Sequence, residues 1–211
     1  ETTLTRYLPG GIWLAAGRGV ALARRGVGTP ALVAMVGLEV ALATPVALLV
    51  GSVLLAGSPN APAWLGWLAA GLLIVAATLA RPALNGALAW WARRRSQELP
   101  AVLTTAGVGR LAIALVAYWM IFGSVFWAYL EVMERPVGWL AATGGFVLSW
   151  RIGLFTVVAP QGLGVFEPTF VALVGWATDA LLLVGTFRVV LVLRDLALTA
   201  LSTMVSHRRA A

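Results

Sequence analysis

The sequence predicts an all-α protein: a polytopic bundle of membrane helices in which two helices are broken or re-entrant. Hydrophobic residues make up 61% of the chain and charged residues 11%, against about 45–50% and about 25% in soluble domains. Residues 61–80 and 111–130 contain no charge at all. Two Pro/Gly stretches, at 7–13 and 159–167, would each break a membrane helix. Because unpaired backbone groups are costly in hydrocarbon, such breaks are tolerated only where protein or a water-filled cavity shelters them.

The first half of the chain, residues 1–95, is expected to contain one short helix and two crossings. Apolar runs of about 18 residues or more predict spans, and proline predicts kinks. In order, the elements are a short helix at 12–23, a span at 30–56 with a kink at Thr44-Pro45, an uncharged turn at 58–62, and a returning span at 63–80. The Trp90-Trp91 pair beside Arg93–Arg95 is typical of an anchor at the membrane interface.

The second half, residues 100–211, is expected to contain two crossings and a hairpin. As one helix, 100–130 would be about 46 Å long, too long for a core of about 30 Å, so 100–109 is predicted to lie along the surface. The remaining elements are a span at 111–130, a hairpin with arms at 137–158 and 163–177, and a span at 180–204.

The distribution of arginine supports the hairpin independently. The positive-inside rule assigns the arginines at 24–25, 93–95 and 208–209 to the cytoplasmic side. Four crossings satisfy this assignment only if 137–177 enters and leaves on the outer side. Each half of the single domain 1–211 then contains a break followed by a half-helix and a span. The two copies run in opposite directions across the membrane. This is the pattern of an inverted-topology repeat, in which paired breaks mark a transporter-type binding site.

Charged residues inside apolar spans are costly and by default face a cavity or a partner. Arginines there would bind a lipid phosphate, with the acids positioning them or taking up a coupled proton. The alternative is that the charges only neutralise each other between helices. Arg188 and Asp195 are seven residues apart and share a helix face, whereas Arg194 points about 100° away. The candidates are Glu39, Arg151, Glu167, Arg188, Arg194 and Asp195.

Residues at the two breaks complete the candidate lipid-binding site. Helix N-termini offer free N–H groups, and glycine permits close approach of an anionic head group. Glycine also serves close packing of membrane helices, which is the competing interpretation. Arg18 lies about two turns into the first half-helix and would pair with Glu39 or a head group. The break residues are Pro9, Gly10, Gly11, Pro160, Gly162 and Gly164.

Several function classes find no support in the sequence. The chain has no Cys and one His, His207, which sits beside arginines near the end. No metal-ligand spacing, nucleophile–His pair or P-loop is present, so no metal, cofactor or enzymatic activity is expected. No basic stretch interleaved with aromatic residues suggests nucleic-acid binding, and the net charge of +7 favours contact with anionic lipids.

Both breaks carry a family resemblance. Tyr7–Trp13, followed by Gly17-Arg18 and Arg25–Val27, resembles flippase-like membrane proteins related to the membrane region of lysylphosphatidylglycerol synthases. Pro160–Glu167 is similar to the second signature of that group, usually Pro-Gly-Gly-(Leu/Ile)-Gly with an acidic residue soon after. Gln161 stands in place of the first glycine of the pair.

The resemblance implies a multi-pass protein of the bacterial inner membrane that moves anionic or aminoacylated phospholipids, or lipid-linked glycans. Family members generally carry further spans before the first motif, so it also implies an N-terminal truncation. No aminoacyl-transferase domain is present to support lipid aminoacylation. Two alternatives stay open: a non-transporting scaffold for a lipid-modifying enzyme or glycosyltransferase, and an ion or small-solute channel. A homo-oligomer is also compatible with the sequence, which does not determine the oligomeric state.

Overall fold

The computed structural model describes residues 29–59, 61–94, 104–154 and 164–210, together with Ala23 and Gly26. All regular structure in these ranges is helical, which confirms the all-α prediction. The helices are α1 (Thr29–Ala56), α2 (Trp64–Arg94), α3 (Thr105–Val132), α4 (Trp139–Leu154), α5 (Phe166–Val174), a 3₁₀ turn (Thr178–Ala180) and α6 (Leu181–Ala210).

Helix α4 is the centre of the bundle and packs against α1, α3 and α5. Every residue from 142 to 149 is buried. Gly57, which follows α1, lies beside Leu140, and Gly51 of α1 lies beside Leu148, so α1 and α4 run antiparallel. The indole N–H of Trp139 donates to the Ser124 hydroxyl at 2.9 Å, whereas Arg151 lies over Trp119, so α3 and α4 also run antiparallel.

Glycine lets the backbones of these helices approach each other closely. A Cβ at Gly144 would lie 2.6 Å from the backbone nitrogen of Leu55 and 2.9 Å from the carbonyl oxygen of Gly51. A Cβ at Gly123 would lie 2.4 Å from the Thr143 methyl group. Membrane helices without a hydrophobic driving force between them are held by this kind of small-residue packing.

A cluster of aromatic rings fills the space between α3, α4, α5 and α6. Phe126 is fully buried and contacts the rings of Phe146, Phe170 and Phe187 at centroid distances of 5.0, 5.0 and 4.8 Å. Offset and edge-on ring pairs each contribute about 0.5–1.5 kcal/mol beyond their buried area. The cluster therefore fixes how α5 and α6 sit on α3 and α4.

Helix α5 folds back along α4. Gly145 lies beside Phe170 and Val174, whereas Trp150 contacts Phe166 at 5.8 Å, so the two helices run antiparallel. At nine residues α5 is about 13 Å long, far short of a bilayer core of about 30 Å. It ends at Gly175, whose φ of 74° is left-handed. The amides of Gly175 and Trp176 both donate to the Val171 carbonyl, closing the helix.

Among the described residues, α3 is the one helix that alone is long and apolar enough to cross a membrane. Only 17% of its most apolar window is buried, unlike the core helix of a soluble protein. The prediction that 100–109 forms a separate surface segment is wrong for 105–109. These residues continue into α3 because Thr104 caps the helix, accepting the Gly107 N–H on its hydroxyl oxygen.

Helix α2 would count as a second span if its two parts, Trp64–Ala76 and Arg81–Arg94, form one bent crossing. The crossings predicted at 30–56 and 180–204 are helical over α1 and α6. Their membrane insertion stays a prediction, as does the inverted repeat. Residues 1–22 and 155–163, which hold the first break and residues 159–163 of the second, lie outside the described residues.

Candidate functional site

Glu167 lies in the first turn of α5 and connects three parts of the fold. Its side chain is buried. One carboxylate oxygen, Oε2, accepts the backbone N–H of Gly164 at 2.9 Å. The other, Oε1, lies 3.0 Å from Nε of Arg188 on α6. Gly164 has a φ of 79°, a left-handed conformation that glycine adopts without strain. Glu167 thus joins the turn before α5 to α6.

Arg188 is buried against aromatic faces as well as against Glu167. Its guanidinium carbon lies 4.7 Å from the centre of the Phe166 ring and 5.3 Å from that of Trp150. Cations within about 6 Å of a ring centroid are attracted by the ring quadrupole. The contact with Glu167 is an ion pair, because the Nε–H is not aligned for a hydrogen bond to Oε1.

Arg151, near the end of α4, lies against α3. It is 9% exposed, and its guanidinium carbon is 4.9 Å from the centre of the Trp119 ring. Trp119 is close to the middle of the 28-residue helix α3, about 20 Å from either end. Trp150, next to Arg151, contacts Phe122 of the same helix at 5.5 Å. The two buried arginines therefore lie near mid-depth of the helix best suited to span a membrane.

Arg194 and Asp195 form a second pair further along α6. Nε and Nη2 of Arg194 donate to Oδ1 of Asp195 at 3.0 and 2.8 Å. Asp195 is 1% exposed, whereas the Arg194 side chain is 42% exposed. Arg188 and Asp195 share the buried face of α6, as their spacing predicts, and Arg194 reaches in from outside it.

Buried polar groups accompany the arginines around α4. These groups are 2% exposed or less and make no hydrogen bond within the part of the chain that the structure describes. A buried polar group left unpaired costs about 1–3 kcal/mol, so groups of this kind normally bind water or a polar ligand. They are the hydroxyls of Ser52, Thr143 and Ser149 and the indole N–H of Trp119.

The structure brings part of the predicted site together. Glu167 contacts both Gly164 and Arg188, and Arg151 lies on the helix that packs against α5. Arg194 and Asp195 contact each other. The side chain of Glu39 is not among those described, although its backbone lies in α1. Pro9, Gly10, Gly11, Arg18, Pro160 and Gly162 lie outside the described residues.

Aromatic residues that hold the two arginines were missed by the sequence argument. Trp119 lies under Arg151, while Trp150 and Phe166 flank Arg188. One signal was present: Trp119, Phe122, Phe126 and Tyr129 recur every three or four residues, which places them on one face of α3. This spacing indicates that the aromatic residues face the protein interior. It does not predict that an arginine lies over one of their rings.

The chain matches no protein-family profile, no curated protein and no solved structure.

Proposed function

We propose that this chain is a membrane lipid transporter of the flippase type, acting on anionic or aminoacylated phospholipids or on lipid-linked glycans. The observation that carries the proposal is the buried set Arg151, Glu167 and Arg188 at mid-depth of α3. A charge at the bilayer centre costs about 2.5–3.5 kcal/mol on insertion scales, so such residues are functional by default. Transporter sites commonly lie at this depth beside short or broken helices.

The geometry supports exchange of partners at Arg188. An anionic head group that reaches Arg188 competes with Glu167 for the guanidinium, because both offer oxygen acceptors to the same cation. Glu167 keeps its bond to the Gly164 amide during the exchange and so stays close enough to return. The head group's charge would then be neutralised while it crosses, and Arg188 would be neutralised when no head group is bound.

The short helix α5 supports a route for the head group. Its antiparallel packing on α4 is that of a hairpin that enters and leaves at the same end, which agrees with the predicted re-entrant loop. The unpaired hydroxyls of Ser52, Thr143 and Ser149 add polar groups beside this hairpin. Residues 7–13 and 160–167 resemble the two signatures of flippase-like proteins, which favours lipid over ion transport.

The test is a lipid-translocation assay in liposomes that contain fluorescent phosphatidylglycerol, with dithionite added outside to bleach exposed label. We expect the protein to accelerate translocation, and Arg188→Gln and Arg151→Gln to slow it by at least about tenfold. The reason is that a hydrogen bond to a charged group contributes about 1.5–3 kcal/mol. The matched control is Arg110→Gln, which removes an exposed arginine of α3 and should leave the rate unchanged.

Wild-type protein that leaves the translocation rate at the level of empty liposomes would overturn the proposal and favour the non-transporting scaffold. Equal loss of rate in Arg110→Gln and Arg188→Gln would also overturn it, because the effect would then follow net charge rather than the buried site. Discrete conductance in planar bilayers would favour the channel.

A further inference from the structure

Helix α2 bends by 59° between Trp64–Ala76 and Arg81–Arg94. Two local features explain the bend. Pro82 has no N–H to donate and its ring clashes with the carbonyl four residues earlier, at Thr78. The Thr78 hydroxyl donates to the Ile74 carbonyl at 2.7 Å, a back-bond that itself favours bending. The bend is therefore encoded where the apolar run meets Arg81-Pro82.

The bend shortens the distance that α2 covers in one direction. At 31 residues, α2 would be about 46 Å long if straight, whereas the core is about 30 Å thick. The straight part before the bend, Trp64–Ala76, covers about 20 Å, and the bent stretch continues from there to Arg81. Trp64 and Trp67 are 54% and 81% exposed at one end, as expected of an interfacial belt. Arg81 then lies near the opposite interface, where the helix turns away from its first direction.

The part after the bend has one face on the protein and one face free. Leu84 and Ala92 are buried, whereas Ala83, Ala87, Trp90 and Arg94 are exposed. The latter four recur every three or four residues and so line one face. The guanidinium carbon of Arg94 lies 4.6 Å from the centre of the Trp90 ring, so ring and cation are presented together.

The charge of this segment is of one sign. Arg81, Arg93 and Arg94 are all exposed, and α2 contains no acidic residue. Arginine forms paired hydrogen bonds with phosphate. Each basic residue near an anionic membrane surface strengthens binding of the protein to that surface by about 1 kcal/mol. Tryptophan prefers the head-group level, where its ring is in apolar surroundings and its N–H is wet.

We propose that Arg81–Arg94 lies obliquely at the membrane interface as an anchor that binds anionic phospholipid head groups, with Trp90 at the glycerol level and Arg94 on the phosphate. This anchor is separate from the buried site around Arg188. It does not depend on lipid transport, so an inactive but inserted protein would still bind in this way.

The experiment measures the fluorescence of Trp90 in the full chain, reconstituted in nanodiscs with brominated lipids. Because the chain has ten Trp, the contribution of Trp90 is obtained as the difference between wild type and Trp90→Phe. We expect stronger quenching by bromine near the head group than at the end of the acyl chain. We also expect stronger quenching by brominated phosphatidylglycerol than by brominated phosphatidylcholine at equal total bromine.

Arg94→Gln should weaken the preference for phosphatidylglycerol by about fivefold, the factor expected for one arginine at an anionic surface. Arg135→Gln is the matched control, since it removes an exposed arginine from the loop after α3 and should leave the preference intact. Equal quenching by the two lipids, quenching that is strongest at the acyl end, or an equal loss in Arg135→Gln would each overturn the proposal.

Discussion

Glu167 is the residue on which the buried site most depends, because it balances Arg188 and also accepts the Gly164 amide. Replacing Glu167 by Leu leaves a buried guanidinium without its carboxylate. Breaking a buried pair from one side costs about 3–5 kcal/mol, whereas replacing both partners by apolar residues is often close to neutral. We therefore expect Glu167→Leu to destabilise the protein by about 3 kcal/mol, and the double variant Glu167→Leu/Arg188→Leu to be less destabilised than the single one.

The measurement is the free energy of unfolding in detergent, from a denaturant titration of Glu167→Leu, Arg188→Leu and the double variant. Glu131→Leu serves as the control, because Glu131 is exposed at the end of α3 and such substitutions usually change stability by less than about 0.5 kcal/mol. A double variant whose loss equals the sum of the two single losses would show that Glu167 and Arg188 do not stabilise each other.

Contact between α1 and α4 depends on Gly144, which lies against backbone rather than side-chain atoms. A methyl group there would meet the Leu55 nitrogen and the Gly51 carbonyl, neither of which can rotate away. The two helices would have to separate, and overpacking of this kind costs about 1–3 kcal/mol. Gly144→Ala is thus expected to lower the melting temperature measured by circular dichroism in detergent.

Gly66→Ala is the matched control, since Gly66 is an exposed helical glycine of α2 with open space around it. Alanine favours helix over glycine by about 0.8–1 kcal/mol, so this variant should keep or raise the melting temperature. Shifts of the same sign and size in both variants would contradict the packing argument.

The helices were predictable from the sequence to a large extent, but their partners were not. Apolar runs with Pro and Gly punctuation placed α4 within 137–158 and α5 within 163–177, because these signals are local. Charges inside apolar runs likewise marked Arg151, Glu167 and Arg188 as unusual. That Glu167 faces Arg188, and that Gly144 meets the backbone of α1, depends on contacts between distant segments. No local pattern encodes those contacts.

The start of α3 was predicted wrongly, because the prediction used helix length and did not consider the N-cap. A helix from 100 to 130 is too long for a bilayer core, and on that ground 100–109 was assigned to the surface. The Thr104 cap instead starts a continuous helix at Thr105, which is about 42 Å long. Helix α2, with 31 residues, instead bends near Pro82. Mismatch between helix and bilayer has several solutions, and sequence length alone does not select one.

The antiparallel packing of the helices determines at which end of the molecule each loop lies. The loops around Gly57, Arg135 and Thr178 lie at one end, because α1, α3 and α5 all run antiparallel to α4. Helix α5, with nine residues, is too short to cross a bilayer core. If the protein spans the membrane through α3, residues 139–175 enter and leave from the same side.

Labelling of single cysteines tests this arrangement, and the chain suits it because it contains no Cys of its own. The variants Arg135→Cys and Thr178→Cys flank the α4–α5 hairpin, and Ala106→Cys lies in the first turn of α3; all three residues are exposed. A membrane-impermeant maleimide applied to right-side-out and inside-out vesicles should label Arg135→Cys and Thr178→Cys in the same preparation and Ala106→Cys in the other. Labelling of Arg135→Cys and Thr178→Cys in opposite preparations would mean that the hairpin crosses the membrane. Labelling of all three variants in both preparations would mean that α3 does not span the membrane. Arg151 and Arg188 would then not lie within the bilayer, and their burial would no longer support a lipid-transport site.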